Sequence, residues 1–157
     1  MRIRLGCLLF TALCSLSCSL PSLESRACAN ARDSAKQFYS FHFANDMHPS
    51  PEYRELHRRF VTEEMSRWLE EPGFQKLDVF TGVENDDPSG YPKTFKIGQC
   101  SPGDSAPEDD VFLQVQLYWL EEKDSQRQTR QRDHNVEMVR IGDQWFVATT
   151  NKGFNRK

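Results

Sequence analysis

"VFLQVQLYWL", residues 111–120, alternates over its whole length. Val111, Leu113, Val115, Leu117 and Trp119 fall on one face, with Phe112, Gln114, Gln116 and Tyr118 on the other. A period of two in β-branched and aromatic residues predicts a half-buried strand. Downstream, "VEMVRIGDQWFVATT" (136–150) reads as a hairpin turning at Gly142-Asp143, with Trp145 and Val147 pointing inward on the returning strand. Upstream, "DVF" (78–80) and "TFKIGQ" (94–99) read as shorter strands flanking the loop "GVENDDPSGYP" (82–92). A second loop, "SPGDSAPEDD" (101–110), leads into the long strand.

Before the strands come helices. "ANARDSAKQFYSFHFAND" (29–46) places Ala31, Ala35, Phe38 and His42 at helical spacing, with Tyr39 and Phe43 beside them. Asp33 is expected in its first turn, where the helix dipole favours an acid. Pro49 ends that run, and Ser50-Pro51 opens "PEYRELHRRF" (51–60), with Tyr53, Leu56 and Phe60 on one face. Thr62 begins a third helix through Met65, Trp68 and Leu69, stopped by Pro72-Gly73. Helices first and strands afterwards define an α+β domain. The expected architecture is a long N-terminal helix and short helices packed on a curved, mostly antiparallel sheet of about four to six strands.

The 157 residues suffice for one domain with a core. With 38% hydrophobic and 11% aromatic residues and a net charge of −3, the composition is globular. A nucleic-acid partner is not expected, because no strongly basic face is indicated. Charge is nevertheless segregated. Seven acids lie between Glu84 and Asp110 against Lys93 and Lys96, whereas "QRQTRQR" (126–132) and "RELHRR" (54–59) are basic. Such segments are read first as solvated loops and faces, and second as docking surfaces.

The N-terminus reads as an export signal. Arg2 and Arg4 precede the uncharged, Leu-rich "LGCLLFTALCSLSCSL" (5–20), which Pro21 ends. The expected division is a signal peptide over 1–27, with the cut between 17 and 29, followed by a single α+β domain over 28–157. Residues 1–27 hold three arginines and one glutamate, so their removal takes the net charge from −3 to −5. Ala27-Cys28-Ala29 has the small-x-small shape of a signal-peptidase site, and Ser17-Cys18-Ser19 offers a poorer one. Leu16-Ser17-Cys18 is similar to the end of a lipobox, which makes Cys18 the lipidation candidate. A lipid on Cys18 is the expected membrane attachment, if there is one. Ordinary secretion is the preferred route, to the periplasm.

Of five cysteines, Cys28 and Cys100 remain as an even pair when the cut falls before Cys28. In an oxidising compartment they are expected to form a disulfide. Closing so long a loop stabilises by about 4 kcal/mol in the chain-entropy model.

The helix carrying "AKQFYSFHF" (35–43), the helical pair around "RRFVTEEM" (58–65), "LDVF" (77–80), the long alternating strand and "VRIGDQWFV" (139–147) recur together. This order resembles small exported bacterial proteins of an uncharacterised family with the nuclear transport factor 2-like, or cystatin-like, cone fold. The resemblance spans residues 29–150 and implies a fold and a compartment, not an activity. In that group an acid before a Phe leads into an acidic loop, places that Asp78-Val79-Phe80 and Asn85-Asp86-Asp87 would fill.

A cone fold has an open end lined by its helices and concave sheet face. Pocket candidates are Phe38, Tyr39, His42, Trp68, Leu113, Leu117 and Trp119. A few polar groups in an apolar pocket mark a ligand site, and His42 is the most interesting of them. The simpler reading places His42 in the core. No acid or base partner appears on the concave face of the main strand, which disfavours catalysis. No catalytic residue, metal ligand set or cofactor is assigned. His42, His48, His57 and His134 lack zinc-like spacing, and "ENDDPSGY" (84–91) departs from the EF-hand order. The expected function is an exported envelope domain that binds a small apolar ligand or an envelope protein. A homodimer through the sheet face bearing Phe112, Tyr118 and Leu120 is a further partner candidate. The alternatives are an inhibitor or immunity-type protein docking on an envelope enzyme or toxin through acidic loops, and a cone-fold enzyme using His42 and Tyr39.

Overall fold

The computed structural model describes residues 24–44, 51–71, 77–84, 92–103, 106, 108–123 and 126–150. The signal-like stretch with Cys18, and the acidic run 85–91, lie outside the described residues. The helices are α1 (Arg26–Ala44), α2 (Pro51–His57) and α3 (Glu63–Leu69); the strands are β1 (Leu77–Asp78), β2 (Val83–Glu84), β3 (Thr94–Pro102), β4 (Asp110–Lys123), β5 (Gln126–Ile141) and β6 (Gln144–Thr150). The chain is thus α+β. Strands β3-β4-β5-β6 form a four-stranded antiparallel sheet in chain order, and β1-β2 form a separate pair.

The alternation of β4 acts as expected. Val111, Leu113, Val115 and Leu117 are fully buried, and their β5 partners Met138, Val136 and His134 continue the same inner face. Trp145 and Val147 of β6 join them after the turn at Gly142, whose φ of 65° favours glycine. Helix α1 lays Cys28, Ala31, Ala35, Phe38, Tyr39 and His42 into this core at spacings of three and four. Each large side chain so buried contributes about 1.5–3 kcal/mol by removal from water. The helix begins three residues earlier than the sequence pattern placed it, with the Ser25 hydroxyl accepting from Cys28 N. Asp33 consequently lies past the first turn, where it pairs with Lys36.

Both edges of the sheet are partly covered. At β6, Val147 N donates to Phe60 O (2.7 Å) and Thr62 N donates to Val147 O (2.9 Å), so the α2–α3 link adds a short parallel bridge. Thr62 also caps α3 through its side chain, which accepts from Met65 N. At β3 the register shifts between Ile97 and Cys100. There Arg32 of α1 donates to the Ile97 carbonyl (3.0 Å) and the Gly98 carbonyl (2.5 Å), and it pairs with Glu24. Next to it Cys28 and Cys100 are joined in a disulfide, with Cα atoms 5.9 Å apart and a sequence separation of 72. Replacing both by Ser is expected to lower the unfolding free energy by about 2–4 kcal/mol in a denaturant titration. An unchanged midpoint would mean that the bridge constrains nothing.

Three segments differ from the sequence reading. "QRQTRQR" is no loop but the first half of β5, which pairs with β4 as far as Lys123↔Gln126. It escaped the period-two test because the ribbon it forms projects past β3 and β6, leaving residues 126–131 exposed. "DVF" is not a strand through Phe80: β1 ends at Asp78, and residues 79–82 turn back into β2 through Gly82 at φ 67°. Helix α2 ends at His57, so Phe60 sits in the turn beyond it, and the side chains α2 buries are Tyr53 and His57.

Candidate functional site

The expected pocket wall is instead interior. Phe38, Tyr39, Leu113 and Leu117 have no exposed surface, and His42 has 2%. Trp68 is half-buried against the same core. Trp119 lies beyond it on β4 with the Arg132 guanidinium 5.5 Å from its ring centre. The first six are brought together as packing, not as the lining of an open cavity, and Trp119 is not among them.

His42 is not isolated in that packing. It lies in the last turn of α1, and its Nε2 donates to Asp78 Oδ2 at 2.8 Å. The Asp78 carboxylate also accepts from Phe80 N (3.0 Å) and from the Thr81 hydroxyl (2.5 Å), as an Asx turn does. Two further contacts hold this turn against the core: Tyr39 donates its hydroxyl to Phe80 O (3.0 Å), and Arg132 of β5 donates to Gly82 O (2.7 Å). On the other side of the imidazole, His42 Nδ1 is 2.6 Å from the Tyr53 hydroxyl and 3.3 Å from His57 Nε2. Tyr53 and His57 sit four residues apart on one face of α2, their rings meeting edge-on at 4.0 Å. Phe38, Phe41, Phe60 and Phe80 surround the group with ring contacts of 4.7–6.0 Å.

This surrounding sets the charges. Burial pushes the Asp78 carboxyl up, but His42, through its charge and its hydrogen bond, together with Thr81 and the Phe80 amide, outweighs it. The carboxyl is held below its ordinary range, so Asp78 is ionised. Burial and the nearby His42 lower His57 to about 3, against smaller opposing contributions from Asp78 and a hydrogen bond to the Tyr53 carbonyl. His57 is therefore neutral. Burial, with Asp78 second, raises Tyr39 and Tyr53, which keeps both phenols protonated.

The sequence reading sought an acid on the main strand and found none. The acid comes instead from β1, 36 residues from His42, and Tyr53 and His57 come from α2. The usable signals were the Asp-x-Phe-Thr turn and the i,i+4 Tyr–His pair, neither of which is specific.

Accessible space lies elsewhere. A groove of about 410 Å³ runs between α3 and the β5–β6 hairpin. Val61, Ile141 and Phe146 supply apolar lining, Thr62 and Ser66 hydroxyls, and Arg58, Arg67, Glu63 and Glu70 charges of both signs. Arg58 is already engaged with Glu55 and Glu70. On the outer sheet face, by contrast, Gln114 donates to Asp133 (3.0 Å), Gln131 donates to Asp133 (2.7 Å) and Tyr118 donates to Gln116 (3.1 Å). Phe112 and Leu120 stand about 27 Å apart along β4 with this polar ladder between them.

No family model matches the chain, and no curated protein does. Among solved structures, it is similar to a protein of unknown function from Bacteroides thetaiotaomicron VPI-5482. The two share 17% identity at a TM-score of 0.49, covering 78% of this chain and 89% of that one.

Proposed function

We propose that this chain is an exported cell-envelope domain that binds a protein partner through the groove between α3 and the β5–β6 hairpin and does no chemistry. Its fold is read as a nuclear transport factor 2-like cone, with α1 lying across the inner face of an antiparallel meander. The observation that carries the binding role is the groove's mixed lining: an apolar floor flanked by hydroxyls and by both signs of charge suits a peptide segment better than a purely apolar molecule. The buried His42–Asp78 pair argues the same way. At 2% and 7% exposure the two residues leave a substrate no approach. The enzyme reading draws its support from the 2.8 Å contact between them.

A photo-crosslinking side chain placed at Ser66 should yield a defined protein adduct in the native envelope, whereas one at Gln114 should not. Ile141→Asp should reduce the Ser66 adduct at least tenfold. Identical adducts from both positions would sink the proposal, and a lipid adduct at Ser66 would turn it to the small apolar ligand. Export is tested separately by the intact mass of the protein from its native envelope. A lipid-free chain starting at or before Cys28, gaining two hydrogens on reduction, is expected. An acylated chain starting at Cys18 would make it a tethered lipoprotein, and a start at Asn30 would leave Cys100 unpaired.

A further inference from the structure

The outer edge of β6 carries one open pair of backbone groups beside the groove. On β5, Arg140 N donates to Asp109 O (2.7 Å), away from β6. Arg140 and its partner Trp145 are therefore a non-hydrogen-bonded pair of the antiparallel ladder, so the Trp145 N–H and C=O point away from β5. Val147, two residues on, has the same orientation, and there both groups are taken, the N–H by Phe60 O and the C=O by Thr62 N. The chain just before this bridge coils off the edge, with Phe60 N donating to His57 O (2.8 Å). Among the described residues, nothing bonds to the Trp145 N–H and C=O on that edge. The Trp145 side chain is buried on the inner face, while Phe146 and Ile141, on the outer face, line the groove.

We infer that the partner of this groove docks as an extended strand added to the β6 edge at Trp145, with apolar side chains at alternate positions and opposite charges at its two ends. The inference rests on the groove reading above and names what fills it. Any partner that covers the groove takes the Trp145 N–H and C=O out of water, and a covered group left unpaired costs more than the net gain of one bond. An extended backbone returns one acceptor and one donor at the spacing these groups need. A helix has spent its backbone groups internally and returns neither. Side chains on either side of the bonded guest residue fall on the outer face, against Phe146 and Ile141. Charge selects the ends of the guest. Arg58 is spent on Glu55 and Glu70, whereas Glu63 and Arg67, four residues apart on α3, hold no ion pair among the described residues. They complement one basic and one acidic guest residue. A second copy of the chain is a poorer occupant, because the bridge at Val147 stops edge-to-edge pairing of two β6 strands beyond one residue pair.

The probe is the acetylated, amidated peptide Lys-Val-Thr-Val-Glu, used together with its reversed sequence because the edge takes a strand in either direction. Each is added at millimolar concentration to the isotope-labelled, oxidised full chain, and exchange of the Trp145 amide proton with heavy water is followed by NMR. At least one probe should slow that exchange tenfold or more and leave the Asp143 amide in the turn unchanged. Methylating the backbone nitrogens of Thr and of the Val after it keeps every side chain and removes the N–H that meets Trp145 C=O in either direction. The methylated probe should protect Trp145 at least tenfold less. In the native envelope the unmethylated probe should suppress the Ser66 adduct, and the methylated one should not. Trp145 exchange that no probe slows, or an adduct that methylated and unmethylated probes affect equally, would overturn the strand inference and leave the groove reading standing. Absence of any protein adduct at Ser66 would instead remove the groove reading, and the strand partner with it.

Discussion

Asp78→Ala is expected to destabilise the fold by about 3–5 kcal/mol, more than truncation of any single exposed ion pair. The carboxylate accepts from His42, from the Phe80 amide and from the Thr81 hydroxyl, all in an interior that water does not reach. Removing it strands three donors at once, and the cost of a stranded buried donor exceeds the net gain of the bond it had made. The turn over 79–82 would also lose the anchor that fixes its approach to α1, although Tyr39 and Arg132 still hold it through Phe80 O and Gly82 O. Asp78→Asn should cost less, because an amide oxygen keeps one acceptor while its NH2 group meets donors. Equilibrium denaturation of the oxidised proteins measures both. A loss under about 1 kcal/mol for Asp78→Ala would show that the network is loosely held and that the turn is kept in place by its other contacts.

How much of this was legible in the sequence depended on where each residue's partner lies. Elements with one wet and one dry face announced themselves. β4 alternates because α1 covers only its inner side, and α3 begins at Thr62 because its side chain caps the helix. The first half of β5 did not, because no layer covers the ribbon it forms with β4. With solvent on both faces, Arg127, Thr129 and Gln131 are as admissible as Gln128 and Arg130, so period two vanishes. The cluster around His42 was illegible for a different reason. Its members lie 11, 15 and 36 residues from His42, and only the packing of α2 and the β1–β2 turn onto the end of α1 joins them. An isolated histidine on an apolar helix face reads as core, and here it is core. The pairing that gives it chemistry is set by tertiary structure. The disulfide was the opposite case, since a cut before Cys28 would leave Cys28 and Cys100 as the one available pair, and these two are bonded.

The protein should lose stability steadily as the pH falls from 6.5 towards 3, at up to about 1.4 kcal/mol per unit. The cause is His57. In the unfolded chain it takes up a proton near 6.5, whereas in the fold it stays neutral down to about 3. Between those values the unfolded state binds one proton more than the native state, so each step towards acid favours unfolding. Asp78 acts in the same direction further down. Its carboxyl is depressed in the fold, so the stability it contributes is intact above the ordinary carboxylate range and is lost as the pH falls through the folded value. On the alkaline side Tyr39 and Tyr53 hold their protons past the point, near 10, at which the unfolded chain gives them up. There the native state binds more protons, and stability falls as the pH rises. The expected profile is thus a plateau between about 6.5 and 10 with a decline on either side. His57→Phe should flatten the acid limb between 6.5 and about 4 while leaving the alkaline limb in place. Denaturant midpoints of both proteins across this range decide the matter. An acid slope that His57→Phe leaves unchanged would move the titration to another group and remove His57 from the buried cluster's electrostatics.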